Sequence, residues 1–161
     1  WRMGFAVGNE ILIAALEKIK SYLDYGAFTP IQVAAASALS SDSTTIERVR
    51  GVYRKRRDVL VDTMGKAGWN IPSPEATMFA WAPIPEKFRP LGSLEFSKVL
   101  LKEADISVAP GIGFGEYGEN FVRIGLVENE HRIRQAARNI KSVFNKADKI
   151  LSEYSLDQKE V

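Results

Sequence analysis

One stripe of apolar residues near the C-terminal end restricts the fold more than any other feature of the chain. Ile133, Ala137, Ile140, Phe144, Ala147, Leu151 and Tyr154 recur in alternating steps of three and four. That spacing aligns them on one side of a helix of about six turns, started by Asn129 as its cap. A helix with such a stripe is stable only against an apolar surface, so the rest of the chain must provide one.

Three short segments have the period-two pattern of strands. In "TMFAWAP", Met78, Ala80 and Ala82 oppose Thr77, Phe79 and Trp81. "ISVA" is a second, shorter strand. In "FVRIGLV", Phe121, Arg123, Gly125 and Val127 share one face, and Val122, Ile124 and Leu126 the other. Between the first two strands, "SLEFSKVLLKEA" reads as an amphipathic helix with Ser93 as its cap. Ahead of them, Thr44 and Glu47 form a capping box for a helix that runs to Gly65 or Gly68. At about 35 Å it is long for a small domain, and Ile46, Val49, Tyr53, Leu60 and Met64 are expected to face the core.

From residue 44 onward the order is therefore helix, strand, helix, strand, strand, helix. This predicts an α+β domain over 44–161, with helices covering one face of a small sheet. Residues 1–43 read as a separate helical piece. "GNEILIAALEKIKSYL" has helical spacing, "YGAFTP" breaks it, and Thr29 is placed to cap a second helix with Pro30 in its first turn. That helix is alanine-rich and nearly uncharged, which predicts burial.

Composition narrows the functional classes. The 161 residues are 45% hydrophobic and 26% charged, and the formal net charge of +2 is too small to argue for nucleic acid or an anionic membrane. No run approaches the roughly 20 apolar residues that span a bilayer. There is no cysteine and one histidine, so thiolate sites are excluded and a histidine metal site is not expected. The lack of cysteine fits the cytoplasm. The chain opens on Trp1, with neither an initiator Met nor a signal pattern, as expected of a fragment or processed product.

The glycine loop "PGIGFGEYG" lacks the spacing of a phosphate loop and leads into a strand rather than a helix. It reads as a turn with positive φ at several positions. The basic run Arg48, Arg50, Arg54, Lys55, Arg56 and Arg57 is diluted by Glu47 and Asp58, and reads as a solvated helix face. His131 is placed on a surface at the start of the last helix.

Arg123 is the exception, a cation within an apolar strand. A guanidinium that loses water must find an anion or another partner. Its fork suits a carboxylate, and Gly125 leaves space beside it for a planar anion. The residues alone leave open whether that partner is a ligand or an internal Asp or Glu. Arg2, between Trp1 and Met3, is a second isolated cation.

These arginines fall in segments that resemble a known family. "WRMGF" is similar to the stretch just downstream of the cofactor-binding lysine in class I/II aminotransferases, the fold-type I enzymes that use pyridoxal 5′-phosphate. "PEATMFAWAPIP", "ISVAPGIGFGEYGENFVRIGLVEN" and "RIRQAARNIK" resemble that family's C-terminal domain, in order and at similar spacing. "SYLDYGAFTPIQVAAASAL" resembles the bacterial alanine transaminases, a group close to the diaminopimelate aminotransferases. The resemblance covers residues 1 to about 146.

It implies that 1–43 is the C-terminal remnant of the large cofactor-binding domain and that 44–161 is the small domain. It implies Arg123 as the residue holding the substrate α-carboxylate and Arg2 as a contact to the cofactor phosphate. It implies amino acid and 2-oxo acid substrates, a cytoplasmic homodimer, and a loop at Asp24 to Thr29 near the neighbouring subunit's active site. Asp24 stands about where dicarboxylate-specific members carry an arginine. The family's Schiff-base lysine would lie upstream of Trp1, so the chain alone is expected to be inactive and to bind no pyridoxal phosphate covalently. Two other readings remain: a non-enzymatic interaction module, and the aminotransferase-like domain of a transcriptional regulator.

Overall fold

A computed structural model describes residues 2–157; Trp1 and Lys159 lie outside them. The chain divides into two compact units, the first ending at Ile46 and the second beginning at Glu47.

In the first unit, α1 (Glu10–Leu23) begins where the Asn9 side chain accepts from the amides of Ile11 and Leu12, at 3.0 and 3.4 Å. The second helix, α2 (Thr29–Ser40), departs from expectation at its start. Phe28 is its N-cap residue and makes no side-chain cap bond, while Thr29 is already helical. Neither helix buries a residue. The low charge of α2 predicted burial, but burial also needs a covering surface, and the described residues supply none.

The second unit holds most of α3 (Thr44–Lys66), followed by β1 (Phe79–Pro83), α4 (Gly92–Ala104), β2 (Ala109–Pro110), β3 (Phe121–Gly125), α5 (Glu130–Asn145) and α6 (Ala147–Asp157). The capping box at the start of α3 does not form. Asp42 accepts from the amide and hydroxyl of Thr44, and Glu47 pairs with Arg50 instead of reaching back. Thr44 is already the first helical residue rather than the cap, and Asp42, two residues before it, takes the amide that Glu47 was expected to reach. Along α3 only the second half faces the core: Leu60 and Met64 are buried, Tyr53 is half-buried, and Ile46 and Val49 are exposed.

The strands form one antiparallel sheet in the order β1-β3-β2. Ala80 lies opposite Ile124 and Ala82 opposite Val122, and Ala80, Ala82 and Val122 are completely buried. Phe96, Val99 and Leu100 of α4 join this inner face with Ile133, Ala137 and Ile140 of α5 in a single core. Four rings knit that core: Trp69 meets Phe96 and Phe144 edge-on at 5.7 and 5.9 Å, and Phe88 meets the same two at 5.4 Å. The buried Trp69 indole donates to the Pro83 carbonyl at 2.7 Å, so its one polar atom is satisfied.

Two strand and helix limits differ from the sequence reading. "ISVA" pairs only through Ala109, and the pairing extends to Pro110, which lies at the sheet edge where a missing N–H is tolerated. The six-turn helix is broken at Lys146, with φ −104 and ψ 13. The apolar stripe continues across the break, but Ile150 rather than Leu151 takes the fully buried position. A helix restarted at Ala147 puts its three-residue neighbour, Ile150, on the inner side.

Candidate functional site

Alternation along β1 and β3 sends Phe79, Trp81, Phe121, Arg123 and Gly125 to the face opposite the core. Arg123 is at the centre of the middle strand, with Trp81 of β1 and Ala109 of β2 as its cross-strand partners. Around it the face is aromatic. The Arg123 guanidinium carbon is 4.3 Å from the ring centre of Phe79 and 4.4 Å from that of Phe114. Trp81 stacks on Phe121 at 5.5 Å and meets Phe114 edge-on at 5.7 Å.

Among the described residues the Arg123 guanidinium makes no hydrogen bond and no ion pair. The internal acid that sequence reasoning left open is therefore absent from them. Ring faces interact with the cation without consuming its N–H donors, so all five donors of the fork remain available. Gly125 itself is exposed on this face. A Cβ there would touch Val127 and Phe79 at 3.8 and 3.9 Å, ordinary contact distances.

The glycine loop borders this face. It forms two 3-10 turns, Gly111–Phe114 and Glu116–Gly118. Of its glycines only Gly115 has positive φ, at +115; the expectation of several such positions is corrected. Gly111 and Gly118 are required by a close crossing of backbone instead. Glu119 then reaches α4, accepting from the Ser93 amide at 3.1 Å and the Ser93 hydroxyl at 2.9 Å. The Ser93 oxygen accepts in turn from the Ile112 amide at 3.0 Å. Ser93 therefore does not cap α4. It lies inside the first turn, buried, and the cap comes from Glu119, 26 residues away.

Other candidates are dispersed. Arg2 belongs to the first unit, is exposed, has φ +59, and makes no hydrogen bond or ion pair among the described residues. Asp24 is held locally: it pairs with Lys20 at 2.6 Å and accepts from the Gly26 amide at 2.9 Å. The Lys20 hydrogen bond, then the Gly26 amide, lower its pKa below the ordinary aspartate value. His131 is exposed in the first turn of α5, which Asn129 caps by accepting from His131 and Arg132 amides at 3.1 Å.

The basic run on α3 is not a uniform solvated face. Arg50 pairs with Glu47, Lys55 with Glu130 at 3.6 Å, and Arg57 with Asp58 at 2.7 Å. Arg56 is half-buried and donates from one nitrogen to the carbonyls of Leu126 and Val127, at 3.0 and 3.1 Å. It ties α3 to the end of β3, a role that no helical periodicity reveals. Every described lysine is exposed. Among the described residues no group of three or more acids and histidines could hold a metal, and no helix is long and apolar enough to cross a membrane.

Sequence periodicity found Arg123 and the faces carrying Phe79, Trp81 and Phe121, but missed Phe114. The available signal was a lone aromatic between the glycines of "GIGFG", at a position with no regular period.

Known proteins match over most of the chain. The family model for aminotransferase class I and II matches residues 1–140. The putative aminotransferase AatC of Rhizobium meliloti (strain 1021) is 68% identical over 94% of this chain and 37% of its own length. The glutamate-pyruvate aminotransferase AlaC of Escherichia coli (strain K12) is 54% identical over 94% of this chain and 36% of its own length. Among solved structures, substrate-bound BacF from Bacillus subtilis superposes with a TM-score of 0.82 and 36% identity, over 89% of this chain and 36% of that one. The chain thus spans little more than a third of the length of these relatives.

Proposed function

Since the chain belongs to the class I and II aminotransferases, we propose that its parent protein moves an amino group between an L-amino acid and a 2-oxo acid using pyridoxal phosphate. The observation that carries this reading is the Arg123 guanidinium, placed on an open sheet face with its N–H donors unused by the described residues. A planar bidentate donor in that state fits an α-carboxylate. The name of the glutamate-pyruvate relative, 54% identical, favours alanine or glutamate as donor.

Pyridoxal phosphate is implied by the family, and the chain's residues fit part of it. Arg2, without a partner among the described residues, suits a phosphate group. The described lysines are exposed to water and none stands in the segment that resembles the family's cofactor-binding motif; a lysine used for imine chemistry is activated by burial or neighbouring charge. That lysine is supplied by residues outside this chain. When bound, the cofactor provides the electron sink. The residues present here bind and orient: Arg123 fixes the substrate carboxylate and thereby the direction of its Cα–H bond. Residues 1–43 belong in this reading to the cofactor-binding domain and 44–161 to the small domain. The parent works as a cytoplasmic homodimer, with the Asp24 to Thr29 loop near the second active site.

The test is Arg123→Lys in the parent enzyme. A point charge cannot reproduce the fork, so KM for the amino donor rises roughly ten- to a hundredfold, the value of a charged bidentate contact. An unchanged KM overturns the assignment. The 161-residue chain mixed with pyridoxal phosphate and an amino donor gives no transamination; measurable turnover overturns the claim that the chain is inactive alone.

A further inference from the structure

We propose that Phe79 and Phe114 act as a clamp on the Arg123 guanidinium, exposing only its N–H edge and so selecting planar carboxylates over tetrahedral anions. The proposal rests on the reading of Arg123 as the substrate-carboxylate residue and assigns two positioning residues to that site.

Four observations support it. First, both ring centres are within 4.4 Å of the guanidinium carbon, well inside the roughly 6 Å reach of a cation–π contact. Second, the rings come from opposite flanks of β3. Phe79 opens β1 on one side, and Phe114 ends the turn that follows β2 on the other. Third, the head group makes no hydrogen bond or ion pair among the described residues. Fourth, Phe114 is 53% exposed. The described residues bury that ring little, so among them its contact with the cation is not a by-product of core packing.

The rings are themselves held. The Phe79 amide donates to the Thr77 hydroxyl at 3.0 Å, and Thr77 has φ +71, a conformation that β-branched residues adopt at a cost. Phe114 rests edge-on against Trp81, which stacks on Phe121.

The geometry has a chemical consequence. The five N–H bonds of a guanidinium lie in its plane, so a clamp with one ring on each face leaves every donor free while blocking approach from above or below. A carboxylate, also planar, can enter edge-on and take two parallel bonds. A sulfonate or phosphonate projects an oxygen out of that plane and meets a ring. The clamp also restrains a side chain that would otherwise sample many rotamers, reducing the ordering required when substrate binds.

The experiment uses the full-length parent enzyme with Phe79→Leu, Phe114→Leu, Phe114→Tyr and Arg123→Lys. It measures kcat, KM for donor and acceptor, and competitive inhibition by a carboxylate and by its sulfonate analogue. Each leucine variant is expected to raise KM about threefold to tenfold, as loss of one cation–π contact implies, with kcat changed less than twofold. The ratio of sulfonate to carboxylate inhibition constants falls toward one, whereas Phe114→Tyr, which keeps a ring, retains both KM and the ratio. If Phe79→Leu does not fold, Phe114→Leu carries the test, because its half-exposed ring contributes little to the core. Leucine variants with unaltered KM and inhibition ratio overturn the clamp while Arg123→Lys still raises KM. If Arg123→Lys also leaves KM unchanged, the reading of the site itself falls, and the clamp with it.

Discussion

Gly111 and Gly118 cross so closely that a Cβ on Gly111 would lie 2.0 Å from the Gly118 carbonyl oxygen, and one on Gly118 2.1 Å from that of Gly111. Both obstacles are backbone, which cannot rotate aside. Gly111→Ala should therefore destabilise the second unit by about 3 kcal/mol, the upper range for overpacking. Gly113→Ala, where an added Cβ meets nothing within 4 Å, should cost less than about 1 kcal/mol. Denaturant titration of the two variants checks the contrast; equal midpoints would dismiss the crossing as the reason for glycine.

Glu119 satisfies α4 across the glycine loop through Ser93. Glu119→Ala leaves a buried hydroxyl and a first-turn amide without their acceptor, at a cost of about 2 kcal/mol. Glu119→Gln keeps one carbonyl oxygen for the amide and should lose about half of that. Thermal melts and exchange rates of the Ser93 and Ile112 amides report both effects. Faster exchange at Ile112 in the alanine variant is the specific sign, because its bond runs through the Ser93 oxygen.

Arg56 joins α3 to the Leu126 and Val127 carbonyls. Replacing it with Gln shortens the reach and removes the charge, so the variant should lose roughly 1–2 kcal/mol. Arg54→Gln, on an exposed position of the same helix, should stay within about 0.5 kcal/mol. Equal losses at the two positions would return the basic run to a simple solvated surface.

Asp24 titrates below the ordinary aspartate range because of Lys20, then the Gly26 amide. Its folded pKa is depressed, so its contribution to the α1 end is present above the unfolded aspartate pKa. The contribution is lost as pH falls through the folded value. Carboxyl NMR titration should place Asp24 below a reference aspartate. Lys20→Gln should move it back part of the way, leaving the share due to Gly26. No movement in that variant would remove Lys20 as the leading cause.

Gly125 borders Arg123, yet the nearest atoms to an added methyl belong to Val127 and Phe79, at ordinary contact distances. In the parent enzyme Gly125→Ala should leave KM for the amino donor within about twofold, since contacts of that length cost little. A large rise would mean that the substrate occupies this space.

The helical stripes and the two-residue alternation of β1 and β3 were legible because each follows from backbone geometry within one element. Ala80, Ala82 and Val122 came out buried, and Phe79, Trp81 and Arg123 came out together on the other face. Caps were legible only where the partner lies within a few residues, as at Asn129. Where a charged acceptor competed, the reading failed: Asp42 displaced the Thr44 and Glu47 box, and Glu119 took the cap expected of Ser93. The burial expected of α2 failed for a related reason. An apolar helix states a need for cover but does not contain the cover.

The sequence by itself determined the α+β class, the family, and the presence of one cation on an apolar strand. Only the tertiary structure decided what surrounds that cation. Periodicity is local and belongs to the backbone, whereas the rings on Arg123 arrive from a distant strand, Phe79, and from an irregular loop, Phe114, brought together by sheet order and a glycine crossing. Which side chains meet is set by register and close approach of backbone, and those are properties of the folded pair of segments rather than of either one alone.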